Sequence, residues 1–146
     1  MLWTEPVSAE TLEDWAALRF ALWPDEGQIE EAADWLAIAN PNQYNLVARV
    51  DDGAVVGFAE ATLRNDYVNG TSTSPVVFLE GVFVAPDHRR RGAAAALVEA
   101  VARWGRAQDC TEFASDALID NLDSHAFHRA IGFAEQERVV CFSKPL

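Results

Sequence analysis

The chain has 146 residues, half of them apolar, with five Trp and a formal net charge of −12. That length fits one domain, residues 1–146, with a real core. The acidity argues against a nucleic-acid partner, which needs a broad basic surface, and favours a cationic ligand. It also serves plain solubility.

Leu2 to Val7 reads as a short strand. Ser8 is the expected N-cap of an amphipathic helix in which Leu12, Trp15, Leu18 and Leu22 recur at helical spacing. Trp23-Pro24 ends that helix, because the residue before a proline is pushed out of the helical region. Trp23 is then either a core plug or the wall of a pocket. Gln28 to Asn40 repeats the helical pattern and stops at Asn40-Pro41.

The period then changes. Tyr44 to Val50 and Ala54 to Leu63 are strands joined by Asp51-Asp52-Gly53, a hairpin signal. Arg64 to Pro75 is a polar loop that holds Asp66-Tyr67-Val68, either a surface turn or a place for chemistry on a rigid scaffold. Val76 to Val84 is the most apolar strand, and Glu80 is its single charge. A carboxylate there must be paired, hydrated in a cleft or protonated, since desolvating it alone costs several kcal/mol. Gly81 beside it suggests a bulge or a close approach, which favours a site over a structural ion pair.

Arg89-Arg90-Arg91-Gly92-Ala93-Ala94 links that strand to an apolar-periodic helix, Ala93 to Ala107. A glycine entering a helix beside arginines puts backbone N–H groups, a positive helix end and guanidinium donors at one point, as a phosphate requires. The alternative is a loop that merely solvates the helix start. Glu112 to Ala117 is a short strand carrying Ser115-Asp116. Asn121 precedes a helix at Ser124 to Ile131, Gly132 suits its C′ position, and Phe133 opens a last strand through Glu135 to Phe142.

The predicted order is β-α-α-β-β-β-α-β-α-β. Cys110 and Cys141 lie far apart and read as structural thiols. His88, His125 and His128 complete no metal-ligand spacing, so no metal is expected. No apolar run is long enough to span a bilayer and no secretory pattern opens the chain, so a cytoplasmic, bacterial-type protein without membrane contact is expected.

With the strand Val76 to Val84, Val84-Ala85-Pro86, the Arg-x-x-Gly-x-Ala pattern at Arg89, Gly92 and Ala94, and Ala-Ile-Gly-Phe at Ala130 to Phe133, the chain resembles the GCN5-related N-acetyltransferase superfamily. Longer strings are similar to bacterial aminoglycoside 6′-N-acetyltransferases. These are Leu18-Arg19 with Leu22-Trp23-Pro24, Asp66-Tyr67-Val68-Asn69-Gly70, Ser74 to Gly81, Ala114-Ser115-Asp116 and Glu137-Arg138-Val139.

The resemblance implies an α/β (α+β) acetyltransferase fold whose mixed, mostly antiparallel sheet splays at a bulge near Gly81 and Val82. Acetyl-coenzyme A would be the cosubstrate and the antibiotic's 6′-amine the acceptor, with direct transfer in a ternary complex. Arg89, Arg90, Arg91, Gly92, Ala93 and Ala94 would hold the pyrophosphate, although Ala94 stands where glycine is frequent. Backbone groups of Val82 and Val84 would pair with the pantetheine arm, and Asn121 would also touch the coenzyme.

Trp23, Tyr67, Glu80 and Asp116 would surround the polycationic acceptor, with Glu80 as general base. His128 stands where many relatives have a tyrosine acid, and it is either that acid or a packing residue. A homodimer using the last strand is implied, with Val139, Val140 and Phe142 supplying apolar surface. Two other functions compete on the same fold, acetylation of a different small polyamine or protein amine, and a non-catalytic acetyl-coenzyme A module.

Overall fold

A computed structural model describes residues 1–24 and 40–146. The described elements are strand β1 (Leu2–Pro6), helix α1 (Leu12–Leu22), strands β2 (Gln43–Val50), β3 (Val55–Arg64) and β4 (Val76–Val84), helix α2 (Ala93–Ala107), strand β5 (Phe113–Ser115) and helix α3 (Leu122–Ala130). The predicted helix Gln28 to Asn40 falls, apart from Asn40, outside the described residues.

The sheet runs β1-β2-β3-β4-β5 in space. Its first four strands are antiparallel neighbours, and β5 joins β4 in parallel. The β2–β3 hairpin closes where expected: Gly53 N–H donates to the Val50 carbonyl and Val50 N–H to that of Ala54.

Helices cover both faces. On one, Trp15 and Ala16 of α1 pack on Val47 and Phe58, and Trp15 and Phe58 are fully buried. On the other, Leu97, Val98 and Val101 of α2 pack on Leu46, Ala59, Ala61, Val77 and Leu79. Each such large apolar side chain removed from water contributes about 1.5–3 kcal/mol. The alternation of β3 follows from this double cover, with Phe58 and Glu60 toward α1 and Ala59 and Ala61 toward α2.

Two expectations need correction. The residue capping α1 is Thr11 rather than Ser8. Ser8 N–H donates to Thr11 Oγ1 and Thr11 N–H to the Ser8 carbonyl, so a closed turn precedes the helix and delays its start. The predicted last strand, Glu135 to Phe142, is not a strand: residues 134–146 form neither helix nor strand. Val139, Val140 and Phe142 are 54%, 78% and 92% exposed. Little among the described residues covers these side chains, and an alternating segment that buries no face gains nothing from extension. Phe133, expected to open that strand, instead packs edge-on against Phe113 of β5.

The sheet shifts register twice, between β2 and β3 at Ala48 and Arg49 and between β3 and β4 beside Glu80, and the second shapes the site. Glu60 pairs with Gly81 while the next residue, Ala61, pairs with Leu79, so Glu80 is an extra residue in β4. Trp23, one residue past α1, lies on Gly81 and meets Phe58 edge-on with ring centroids 5.9 Å apart. A Cβ on Gly81 would stand 2.3 Å from Trp23 Cζ2. Only glycine leaves room for that ring. Gly81→Ala is therefore expected to destabilise the fold by about 1–3 kcal/mol, as overpacking does, read as a lower urea midpoint at unchanged slope.

Candidate active site

The extra residue decides which backbone groups face outward. Strand β5 pairs with β4 only at Val77, Phe78 and Leu79, and beyond Leu79 the two strands part. Val77 N–H points to β5, toward the Glu112 carbonyl, whereas Ala85 N–H points to β3, toward the Val56 carbonyl. Alternation along an antiparallel strand then turns Phe83 and Gly81 to β3 and leaves Val82 and Val84 facing the gap. Without the extra Glu80 the parity would be reversed. The bulge thus sits at Glu80, one residue before the expected Gly81 and Val82, and it is what presents Val82 N–H to the opening.

Glu80 and Gly81 lie on the α1 face. Glu80 is paired: Thr62 Oγ1 donates to its Oε1 at 2.7 Å and Arg64 Nη2 at 2.8 Å. The Arg64 guanidinium also rests 3.6 Å from the centroid of Phe78. Yet Glu80 keeps about a quarter of its side chain exposed, at 26%. It is at once an ion-pair partner and a group in partial contact with solvent.

A second carboxylate lies beside it. Glu60, 6% exposed, accepts from Arg19 Nε at 3.1 Å, and that guanidinium stands 5.0 Å over the Trp23 ring. Sequence reading missed Glu60, Arg19 and Arg64. The signal was present in β3, where a glutamate interrupts Ala59-x-Ala61 in a strand that is otherwise apolar.

Of the expected acceptor residues, Trp23 and Glu80 are brought together through Gly81. Arg64 and Tyr67 line a common depression of about 460 Å³ with Leu63, Asn65 and Asp66. Tyr67 is 76% exposed, and Asp116 lies exposed one residue beyond the point where β5 leaves β4.

The loop before α2 has the geometry an anion requires. Gly92 is the N-cap of α2 at φ +86°, no side chain caps the helix, and nothing lies within 4 Å of the place a Cβ would occupy. A ligand oxygen can therefore approach the backbone N–H groups of the first turn. Arg90 takes φ +63°, and Arg90 and Arg91 are exposed. Arg89 is partly used inside the fold, with its Nε donating to the Val84 carbonyl at 2.9 Å and its guanidinium 5.3 Å from the Phe83 ring. Ala93 is buried and Ala94 half-buried.

His128 stands at the other side of the gap. Its Nε2 lies 2.8 Å from Ser115 Oγ and its Nδ1 2.7 Å from the Ser124 carbonyl. Asn121 caps α3, its Oδ1 accepting from Ser124 N–H at 3.2 Å, so at least one of its atoms is spent on the helix. His125 Nε2 is bound to the Leu118 carbonyl. Among the described residues no three His, Cys, Asp or Glu side chains gather as a metal set. Burial pushes the Cys110 thiol up, away from the thiolate a nucleophile needs.

Comparison with known proteins follows the same lines. Residues 9–133 match the Acetyltransferase (GNAT) family. An aminoglycoside N(6′)-acetyltransferase type 1 from Acinetobacter baumannii is 48% identical over 139 residues, 95% of each chain. The crystal structure of the aminoglycoside antibiotic 6′-N-acetyltransferase AAC(6′)-Ih from Acinetobacter baumannii superposes with a TM-score of 0.93 at 46% identity, covering 100% of this chain and 99% of that one. A structure of AAC(6′)-Iy in complex with a bisubstrate analogue, CoA-S-monomethyl-acetylneamine, gives a TM-score of 0.91 at 42% identity, covering 100% and 99%.

The loop that carries Tyr67 is anchored by Glu112, whose Oε1 accepts from Ser72 N–H, from Thr73 N–H and from the Thr73 hydroxyl. The Thr73 hydroxyl first, then the Ser72 N–H, hold this carboxyl below its ordinary value of 4.5. A depressed folded-state value means that the anchor is complete above the ordinary value and is lost as pH falls through the depressed one. Amide protection of Ser72 and Thr73, taken relative to the unfolded-chain rate at each pH, is therefore expected to be present at pH 7 and to fall selectively at acid pH, with Glu112→Ala unprotected at both.

Proposed function

The chain belongs to the Acetyltransferase (GNAT) family, and from that premise we infer that it transfers the acetyl group of acetyl-coenzyme A to the 6′-amine of aminoglycoside antibiotics. The observation that carries the reading is the single extra residue at Glu80, after which β4 and β5 part and Val82 and Val84 face the gap. Its kinship with aminoglycoside 6′-N-acetyltransferases over nearly the whole chain supports the choice of acceptor. Acetylation converts a cationic ammonium into a neutral amide, which is how such an enzyme confers resistance.

Acetyl-coenzyme A supplies an activated thioester. The open approach to Gly92 and the first turn of α2 fit a pyrophosphate, with Arg89, Arg90 and Arg91 at its margin and Ala93 and Ala94 keeping the approach small. The outward backbone of Val82 and Val84 suits an extended arm laid along β4 as an added strand. Arg89 holds the Val84 carbonyl and would yield it or share it. Val82 N–H, aimed into the gap, is placed to donate to the thioester oxygen as negative charge grows there, a contribution of about 3 kcal/mol to the barrier. Asn121 stands at the coenzyme side of the gap.

On the α1 face, Trp23 and Tyr67 offer apolar and aromatic faces to sugar rings, while Glu80 and Asp116 offer carboxylates to ammonium groups. Binding and activation pull in opposite directions here, because carboxylates stabilise the very ammonium that must lose its proton. Arg64 eases the conflict. A guanidinium already paired to Glu80 Oε1 disfavours a second cation at the same point, so the amine nearest Glu80 enters uncharged while Asp116 holds charged amines elsewhere. Glu80 takes the proton directly or through water, and His128 is the acid on the thiol side.

The acidic surface suits this polycation and no nucleic acid. No described helix is long and apolar enough to cross a membrane, and we place the protein in the bacterial cytoplasm, where acetyl-coenzyme A is made. Residues 1–146 act as one domain and pair as a homodimer. The exposed Val139, Val140 and Phe142 would be covered by a second copy.

Turnover with kanamycin or tobramycin, followed as thiol release, is expected, with no comparable rate on spermidine; the reverse preference would overturn the acceptor. Glu80→Gln is expected to lower kcat by about 100-fold, within the usual range for removing a general base, and wild-type rates across pH would rule Glu80 out. Light scattering is expected to give twice the 16.0 kDa chain mass, with Val140→Glu shifting it toward the monomer; a wild-type monomer would end the dimer reading.

A further inference from the structure

We propose that Ser115 is the proton relay between His128 and the departing thiolate; this rests on the reading of His128 as the acid of the reaction. The tautomer follows from the partners. A carbonyl only accepts, so the 2.7 Å contact with the Ser124 carbonyl fixes a hydrogen on Nδ1. The Ser124 hydroxyl, 3.3 Å from the same nitrogen, does not alter that. The labile proton of His128 therefore belongs to Nε2.

Nε2 faces Ser115 Oγ at 2.8 Å. The ring also packs edge-on against Phe127 and Phe133, with centroids 5.8 and 5.4 Å away. Rotation to deliver the proton elsewhere would break the Ser124 bond and this packing. The hydroxyl is thus the group through which Nε2 reaches anything beyond it.

Ser115 occupies the right point of the fold. It is the last residue of β5 and pairs with Leu79, the final rung before β4 and β5 separate. Its Oγ also lies 3.4 Å from the Leu79 carbonyl, a long contact that gives the hydroxyl hydrogen a resting acceptor at the crotch of the gap. A sulfur at the end of an arm laid along Val84 and Val82 arrives at this crotch.

The step balances as follows. The amine nitrogen bonds to the acetyl carbon, the carbon–sulfur bond breaks, and sulfur leaves with the electron pair. Ser115 O–H gives its proton to sulfur while Nε2–H of the imidazolium passes its proton to Ser115 Oγ. His128 is left neutral with its Nδ1–H still bound to the Ser124 carbonyl, the amine's proton goes to Glu80, and solvent recharges Nε2.

The test compares Ser115→Ala, Ser115→Thr, His128→Gln and the Ser115→Ala/His128→Gln double variant in single-turnover acetyl transfer from acetyl-coenzyme A to kanamycin, with KM for both substrates. Expected is a loss of about 100-fold in rate for Ser115→Ala, KM values within about twofold, an equal loss in His128→Gln, no further loss in the double variant, and recovery in Ser115→Thr. Impairment of His128→Gln with a normal Ser115→Ala would overturn the relay and leave His128 as a direct acid. Normal rates in both would overturn the His128 reading itself, and the relay with it. Impairment of Ser115→Ala alone, or a rise confined to the KM for acetyl-coenzyme A, would give Ser115 a role without His128 and overturn the relay. Should Ser115→Ala not fold, Ser115→Val against Ser115→Thr, equal in shape and differing in the hydroxyl, makes the same comparison.

Discussion

One extra residue in β4 sets the geometry of everything around it. Glu80 has no counterpart in β3, so the strand changes parity between Leu79 and Gly81. Before the change, outward backbone groups are consumed by β5; after it, those of Val82 and Val84 face a gap. A regular strand cannot do both, because its hydrogen-bonding groups alternate without interruption. The bulge also turns Glu80 and Gly81 to the same face, which joins a carboxylate to the only floor on which Trp23 can lie.

The two sides of that strand then divide the chemistry. On the α1 side the carboxylates Glu60 and Glu80 are each matched by an arginine from a different element, Arg19 from α1 and Arg64 from the end of β3. The more buried pair fixes α1 and Trp23 on the sheet. In the proposed function the more exposed pair meets the substrate, the overall charge of −12 gathers a polycation, and the local arginines limit how tightly any one amine is held as a cation. Gly92, Ser115 and His128 lie toward the other side, so in the proposed reaction proton acceptance and proton donation occur across β4 from each other.

Much of this was legible in the chain. The boundaries of β4 and α2 follow from β-branched and apolar runs meeting a polar, glycine-bearing loop, and the structure places them at Val76–Val84 and Ala93–Ala107 as read. Glu80 announced itself as a lone charge in an apolar strand, and Gly92 as a glycine at a helix entrance. Arg19, Arg64 and Ser115 did not announce themselves. Each is an ordinary residue for its local setting, and its role comes from a partner far along the chain, 41 residues away for Arg19 and Glu60. The segment Glu135 to Phe142 fails for the opposite reason: its pattern is that of a strand, but its apolar side chains stay exposed, and composition does not reveal whether a segment will find a face to bury.

The sequence by itself thus determined the class of fold, the glycine at the entrance of α2, the carboxylate at Glu80 and the family. These rest on local periodicity, on backbone freedom at glycine and on strings of residues that can be read without folding anything. The tertiary structure decided the register shift that places the extra residue at Glu80, the pairing of each carboxylate with its arginine, and the fixing of His128 between Ser124 and Ser115. Those depend on which strands and helices meet and in what register, a property of non-local packing that no window of sequence contains.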